Sequence, residues 1–469
     1  MTLCNTLCDE RLRAAEVIMN ASTKDRLKIV FIGGGSVNWA PTIVRDLLLT
    51  PSLSGAEFVL LDTNPKAAAL TEAFLSKLAR ELGVNATFRA TERVEDLAGA
   101  GYIIITISTG GLDAMAHDLA IPEKYGIFHT VGDTSGPGGW ARLVRNFNVF
   151  EGLARDINRY APGALVLNYT NPMTGLTDVL ARLCEGPVVG LCHGLFENLD
   201  LIQKLYGLEN ESEISISYGG LNHFFWADKV RAGSTDVLPD LSKRLQDASF
   251  TDILRGLHEG DAMGFTSNRE VATELFHLTG LMPYLGDRHT CEFFSPYITS
   301  RENLDKYKLV RTTIQERRDG LEKQRAKVEE MVKGDIGPQF HKRSRETAAD
   351  IIDAHFGGRV FIDVGNVPNI GQIANLPAGL VVETAVRVDT GGFTPLAFGA
   401  LPPVVHAMIE PYAHVFPLTV DACFARDRRL ALQALRLDPV CAHLPMARLN
   451  EMSEELLNAH AAFNPLWSS

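Results

Sequence analysis

Residues 28–32, Lys-Ile-Val-Phe-Ile, form a short β-branched run that stops at Gly33-Gly34-Gly35-Ser36, and a stretch with helical spacing follows through Leu49. A strand, a tight glycine turn and a helix in that order make a βα unit. Residues 58–61 form a second apolar strand ending at Asp62, and residues 68–82 have helical spacing with Gly83 as a C-terminal stop. Further continuous apolar runs lie at 102–107, 165–167 and 187–191. Near-continuous apolar strands alternating with helices predict a doubly wound, mostly parallel α/β sheet covered on both faces.

Past about residue 195 the rhythm changes. Longer, more charged helical segments take over, notably 303–332, and residues 333–345 read as a loop or flexible insertion. At 469 residues the chain is long enough for two domains sharing a cleft. The expected division is an extension at 1–24, a Rossmann-like domain at 25–195 built like the lactate and malate dehydrogenases, and an α+β catalytic domain at 196–469.

The net charge of −12 argues against nucleic acid or an anionic membrane surface as the main partner. No apolar run reaches the roughly 20 residues that span a bilayer. Asp9, Glu10, Arg11, Arg13 and Glu16 break up any leader-like stretch, so a cytoplasmic enzyme is expected. Seven scattered cysteines fit a reducing compartment better than a disulfide framework. Cys4 and Cys8 stand four apart in the extension, a spacing that on a helix could bind metal, although a disordered lead is the simpler reading.

A GxGxxG turn uses its first glycine for the turn, its second for close approach to a pyrophosphate and its third for packing helix on strand. Gly33 and Gly35 fill the first two places, Ser36 follows, and Asn38 replaces the third glycine. Asp62, at the end of the next strand, suits the ribose hydroxyls of NAD and would repel the 2′-phosphate of NADP. These residues predict an NAD site.

Beyond that turn, Gly110-Gly111, Asp118, Ile121-Pro-Glu-Lys-Tyr-Gly126, Gly136-Pro-Gly-Gly139, Asn171-Pro172, Cys192-His193-Gly194, Asn222-His223, Asn375-Leu-Pro377 and Val382-Glu383 run in order. In that order they resemble glycoside hydrolase family 4. The triplet Cys-His-Gly is similar to the α-galacturonidase and α-glucuronidase branch. Met115 stands where the phosphoglycosidase branch generally carries an arginine for the sugar phosphate, which disfavours a phosphosugar. Gly132-Asp133-Thr134 replaces the usual Gln-Glu-Thr and leaves the role of Asp133 open.

The resemblance implies a mechanism in which NAD⁺ oxidises sugar C3. A base then removes the acidified C2 proton, the aglycone leaves, water adds, and NADH restores C3. It implies Mn²⁺ held by Cys192 and His223, although a lone cysteine or histidine at such places is more often plain packing. Asp287 is the implied base with Tyr284 in reserve, and its alternative is to pair with Arg288 or cap a turn. His193 is the implied leaving-group acid. Asp118 would bind sugar hydroxyls or aid proton transfer, unless it is a helix-surface acid, and Asn171 would bind a hydroxyl, unless it serves an Asn-Pro turn. Arg288, His289 and Arg142 are the cations available to a uronide carboxylate, Arg288 being equally able to serve structure.

The expected activity is therefore hydrolysis of an α-linked uronide, foremost a galacturonide, by a dimer or tetramer. An α-glucuronide or a neutral α-glucoside or α-galactoside comes next. A 2-hydroxyacid dehydrogenase is a further alternative, and would need a catalytic His-Asp pair, a substrate arginine and no metal cysteine. An NAD-sensing scaffold would leave Cys192, His223 and Asp287 unused.

Overall fold

The computed structural model describes residues 27–257 and 268–463, so the reading of residues 1–24 lies outside the described residues. Its strands are β1 (Lys28–Ile32), β2 (Glu57–Leu61), β3 (Thr87–Thr91), β4 (Tyr102–Ile105), β5 (Leu165–Asn168), β6 (Val188–Gly190), β7 (Ile214–Leu221), β8 (Phe224–Ala232), β9 (Thr235–Asp236), β10 (Met282–Pro283), β11 (Phe361–Pro368), β12 (Val381–Asp389) and β13 (Gly392–Pro395). They join one sheet in the order β10-β8-β7-β12-β11-β6-β5-β4-β1-β2-β3, with β13 on β12 and β9 on β8. Strands β1 to β6 pair in parallel, in the doubly wound order 3-2-1-4-5-6. The remaining pairs are antiparallel.

The two kinds of pairing meet at one place, where Asn366 of β11 pairs with Gly190 of β6. A Cβ on Gly190 would stand 2.5 Å from Met173 Sδ and 2.6 Å from Thr177 Oγ1. Any larger residue there would have to push aside Met173, Thr177 and Asn366 of the adjoining strand, the last with its Cβ 3.0 Å away. At the first turn, a Cβ on Gly34 would lie 2.6 Å from Leu60 Cα, so the middle glycine is as constrained as its neighbours. Asn38, which stands where a third glycine was expected, is exposed.

Two of the three hydrophobic cores cross residue 195, and the third draws only on Leu195 and the chain after it. The first packs Phe147, Phe150 and Trp140 with Phe224, Phe293 and Tyr412. The second covers the opposite face of β1, β2 and β4 with Val328, Ile336, Phe340 and Ile352 from the later chain. The strand directions change near residue 195 while the packing continues. Among the described residues no helix is long and apolar enough to cross a membrane.

Three local expectations need correction. The charged stretch at 303–332 is two helices, Arg301–Lys306 and Ile314–Lys333. Lys308 adopts a left-handed backbone between them, and Thr313 with Glu316 forms a capping box that restarts the second. Residues 333–345 are anchored, since Phe340 packs edge-on against Phe74 and Ser344 N donates to Asp46 at 2.7 Å. Asp118 is fully buried and does not line the site. Arg145 Nη1 donates to both its oxygens, at 2.7 and 2.5 Å, and His460 Nε2 lies 2.8 Å away, so the carboxylate ties helices Gly111–Glu123 and Gly136–Tyr160 to the last helix.

Replacing Asp118 with alanine leaves Arg145 buried and unpaired, and is expected to lower stability by about 3–5 kcal/mol in chemical denaturation. Lost activity with unchanged stability would return Asp118 to the substrate site.

Candidate active site

Two strand ends from different parts of the sheet deliver the predicted metal ligands. Cys192 follows the carboxyl end of β6, and His223 occupies the two-residue turn Asn222-His223 between β7 and β8 with φ of 60°, the left-handed backbone that a tight hairpin requires. Cys192 Sγ lies 3.0 Å from His223 Nε2. His223 Nδ1 is 3.3 Å from the Thr134 hydroxyl, and its ring stacks on His289 at 3.9 Å.

Burial, with His289 and His193 nearby, pushes His223 well below the usual imidazole range, which leaves a neutral ring with a lone pair to give. Burial, then the charge of Glu383, pushes the Cys192 thiol up, opposed by Gly194 N–H and Asn222. A thiolate sulfur and an imidazole nitrogen 3.0 Å apart can both reach one divalent ion, because each bond is about 2.0–2.3 Å long. Binding would release the thiol proton. Among the described residues, no group of three His, Cys, Asp or Glu side chains suited to a metal is present, so the pair leaves the rest of an ion's shell open.

The pair sits in a cavity of about 1240 Å³, lined also by Asp133, Asn171, Tyr169, His193, Arg288, His289 and Arg317. Its floor is the loop 129–134, fixed from behind by Glu292. That fully buried carboxylate accepts from Val131 N at 2.7 Å, Gly132 N at 2.9 Å and Thr130 Oγ1 at 3.0 Å. Gly138 N donates to His129 Nε2, and the ring's Nδ1 lies 3.2 Å from Glu292 Oε1. Burial would raise the Glu292 carboxyl, but His129 and the Val131 N–H outweigh it and hold it at about 2.

So fixed, the loop turns Asp133 into the cavity. Its Oδ1 accepts from Thr134 Oγ1 at 2.9 Å and Asn171 Nδ2 at 3.4 Å, and lies 3.9 Å from His289 Nδ1. Asn171 Oδ1 is buried without a hydrogen-bond partner among the described residues. His193 stands half exposed at the edge of the cavity, its Nδ1 3.3 Å from Glu346, and that contact raises its pKa. Asp133 and Arg317 went unassigned in the sequence. The departure at Gly132-Asp133-Thr134 was the visible signal for the first, and nothing in the charged run around Arg317 singles it out.

Asp287 is not brought to the cavity. It is fully buried, and its two oxygens accept from Val271 N at 2.8 Å and Ala272 N at 2.9 Å, capping helix Glu270–Thr279. The capping alternative fits this placement, and the base reading does not. Tyr284 is buried behind His223, ring centroids 5.4 Å apart, and also stays off the cavity wall. Arg142 donates from Nε to Asn171 O at 2.9 Å, holding the Asn171 backbone in place without lining the cavity.

A second cavity of about 550 Å³ opens at the glycine turn, lined by Gly33, Gly35, Ser36, Asp62, Thr106 and Ser108 among others. Asp62 accepts from Gly35 N and Asn64 N, both at 2.8 Å, and Ser36 Oγ accepts from Trp39 N at 3.2 Å. Leu321 of helix Ile314–Lys333 lines both cavities, which places the sites side by side.

Two measurements test this geometry. Glu292→Gln is expected to cost roughly 3 kcal/mol at neutral pH, since a buried hydrogen-bonded charge is lost. A carboxyl held below its usual value of 4.5 stabilises the fold above that pH, and the gain is lost as pH falls through about 2, so the gap between wild type and variant should close over that window in denaturant titrations. For Asp287→Asn the expected effect is a loss of about 1–2 kcal/mol of stability with C2 proton exchange retained. Exchange abolished at unchanged stability would restore the base.

Residues 28–208 match the model of family 4 glycosyl hydrolases, and residues 218–441 match the C-terminal domain of family 4 glycosyl hydrolases. An α-galacturonidase of Bacillus subtilis is 33% identical over 90% of this chain and 95% of its own, and one of Thermoanaerobacter italicus is 30% identical over 94% and 97%. An α-galactosidase of Bacillus subtilis is 30% identical over 93% and 99%. Among solved structures, lplD of Bacillus subtilis superposes with a TM-score of 0.84 at 30% identity, covering 92% of this chain and all of its own. A 6-phospho-α-glucosidase from gut microorganisms, crystallised with NAD and Mn²⁺, shares the fold at 21% identity and a TM-score of 0.77, covering 94% and 98%. A malate dehydrogenase of Plasmodium falciparum is a more distant match in fold, at 13% identity and a TM-score of 0.51 over 86% and 99%. With its relatives aligned over nearly their full lengths and two strand ends bringing Cys192 to His223, the chain belongs to the family 4 glycosyl hydrolases.

Proposed function

We propose that this enzyme hydrolyses α-linked uronides, foremost α-galacturonides, with NAD and Mn²⁺. The observation that carries the reading is the Cys192–His223 pair in a cavity adjoining the glycine-turn cleft, because oxidation at one sugar carbon and deprotonation at the next need a hydride acceptor and a cation beside the same ring. The α-galacturonidases among its relatives support the substrate class.

Gly33, Gly35, Ser36 and Asp62 would hold NAD, which supplies reversible hydride transfer, and Cys192 with His223 would hold Mn²⁺, which polarises adjacent sugar oxygens. This chain's own groups do the rest. Asn171 Oδ1, a buried acceptor lacking a partner, takes a sugar hydroxyl. Asp133, the carboxylate that the loop turns into the cavity, removes the C2 proton with His289 beside it. His193 donates to the leaving oxygen from the cavity edge. Arg288 stands on the same wall for the C5 carboxylate. The division into a nucleotide domain at 25–195 and a catalytic domain at 196–469, and assembly as a dimer or tetramer in the cytoplasm, belong to the same proposal.

A neutral α-galactoside is the second reading, supported by the α-galactosidase relative. Hydrolysis of 4-nitrophenyl α-galacturonide, α-glucuronide, α-galactoside, α-glucoside and 6-phospho-α-glucoside separates the readings, with NAD⁺, Mn²⁺ and reductant each omitted in turn. Uronide cleavage that stops without either cofactor is the expected result. Cleavage of the galactoside alone would establish the second reading, and turnover that survives chelation would overturn the metal pair.

A further inference from the structure

Two arginines reach the same cavity from different elements. Arg288 comes from the short helix Asp287–Thr290, and Arg317 from the first turn of helix Ile314–Lys333. Each sends Nη2 to one of two consecutive carbonyls of the floor loop, Arg288 to Thr130 O and Arg317 to Val131 O, both at 3.4 Å. Arg288 Nη2 also donates to the Thr312 hydroxyl. In both residues Nε is buried and has no hydrogen-bond partner among the described residues.

A guanidinium carries five donors in a fixed fork, and a buried donor left unpaired is costly. Burial presses on the Arg317 charge, Asp133 partly relieves it, and Arg288 adds to the pressure. The other carboxylate on this wall, Glu316, is engaged in its own helix cap, where it accepts from Thr313 N and Oγ1 at 2.7 Å each. Two guanidinium Nε groups on this wall are therefore left without an acceptor, beside the pair that would hold the metal. An anionic ligand with two oxygens at one carbon would satisfy both forks.

We infer that Arg317 is a specificity-determining residue, and that with Arg288 it grips the carboxylate of the substrate, one guanidinium from each side. The inference rests on the uronide reading above. A hydroxymethyl group in place of the carboxylate would offer one acceptor to two half-buried cations, and a site built to pair a group rejects the analogue lacking it. The grip forms when the first turn of helix Ile314–Lys333 lies against the floor loop, so the substrate's own charge would hold that helix over the cavity.

The test is the ratio of kcat/KM for 4-nitrophenyl α-galacturonide to that for 4-nitrophenyl α-galactoside, in wild type, Arg317→Gln and Arg317→Lys, with NAD⁺ and Mn²⁺ saturating. Arg317→Gln should lower the uronide value about 100-fold, chiefly through KM, and change the galactoside value less than about threefold. Arg317→Lys keeps the charge but not the fork and should fall about tenfold. NAD⁺ affinity, read by protein fluorescence, should stay within a factor of two in both. Equal losses on both sugars, or an unchanged ratio, would overturn the assignment. If wild type itself prefers the galactoside, the uronide reading fails first and the ratio shows it. Should Arg317→Gln not fold, Arg317→Lys carries the same comparison with the same sign.

Discussion

The active cavity depends on one buried carboxylate. Glu292 gathers the N–H groups of Val131 and Gly132 on one side of the loop 129–134, and that orientation turns the carbonyls of Thr130 and Val131 the other way. The first set of dipoles neutralises an acid, while the second receives two arginines. Asp133 and Thr134 follow directly, with Thr134 bridging Asp133 to the rings of His223 and His289. A charge that does not line the cavity thus sets where the cavity's carboxylate, its imidazoles and its guanidiniums stand. The loop can press close to the helix behind it because a Cβ on Gly139 would lie 2.6 Å from the Thr134 carbonyl carbon, a spacing that glycine alone tolerates.

The parallel half of the fold was legible because its strands are buried on both faces and announce themselves as apolar runs. β3 escaped notice for the opposite reason. It is an edge strand, Thr-Phe-Arg-Ala-Thr, whose lone aromatic side chain, Phe88, stacks on Phe58 at 5.1 Å while the rest stays partly exposed. The seam between β6 and β11 was equally hidden, since a single residue pair between distant segments leaves no local pattern. The capping box at Thr313 and Glu316 was present in the sequence, but the continuous charge around it masked the break.

At the site, ordered motifs placed Cys192, His223, Asn171 and His289 in one cavity, and the glycine turn beside Asp62 in the next. What they could not supply was direction. Asp287 and Arg288 are neighbours, yet one faces the backbone of helix Glu270–Thr279 and the other faces the cavity, a difference set by one residue's rotation on a short helix. Asp118 illustrates the same limit. An acid in a recognisable place is expected at the substrate, and the packing instead gives it the burial of an arginine to balance.

Helix Ile314–Lys333 shows why polarity misled. Val328 is its single fully buried residue, so by composition it reads as a solvated rod. Its polar faces are nevertheless engaged. Arg318 pairs with Asp113, Lys77 holds the backbone of Met331 at 2.9 Å, and Glu316, Arg317, Leu321, Gln324 and Arg325 line one cavity or the other. A helix that lines two polar cavities cannot be apolar where it faces them. Its hold on the protein comes from a narrow apolar stripe, Leu321, Val328, Met331 and Val332, packed on the second core, together with its caps and ion pairs.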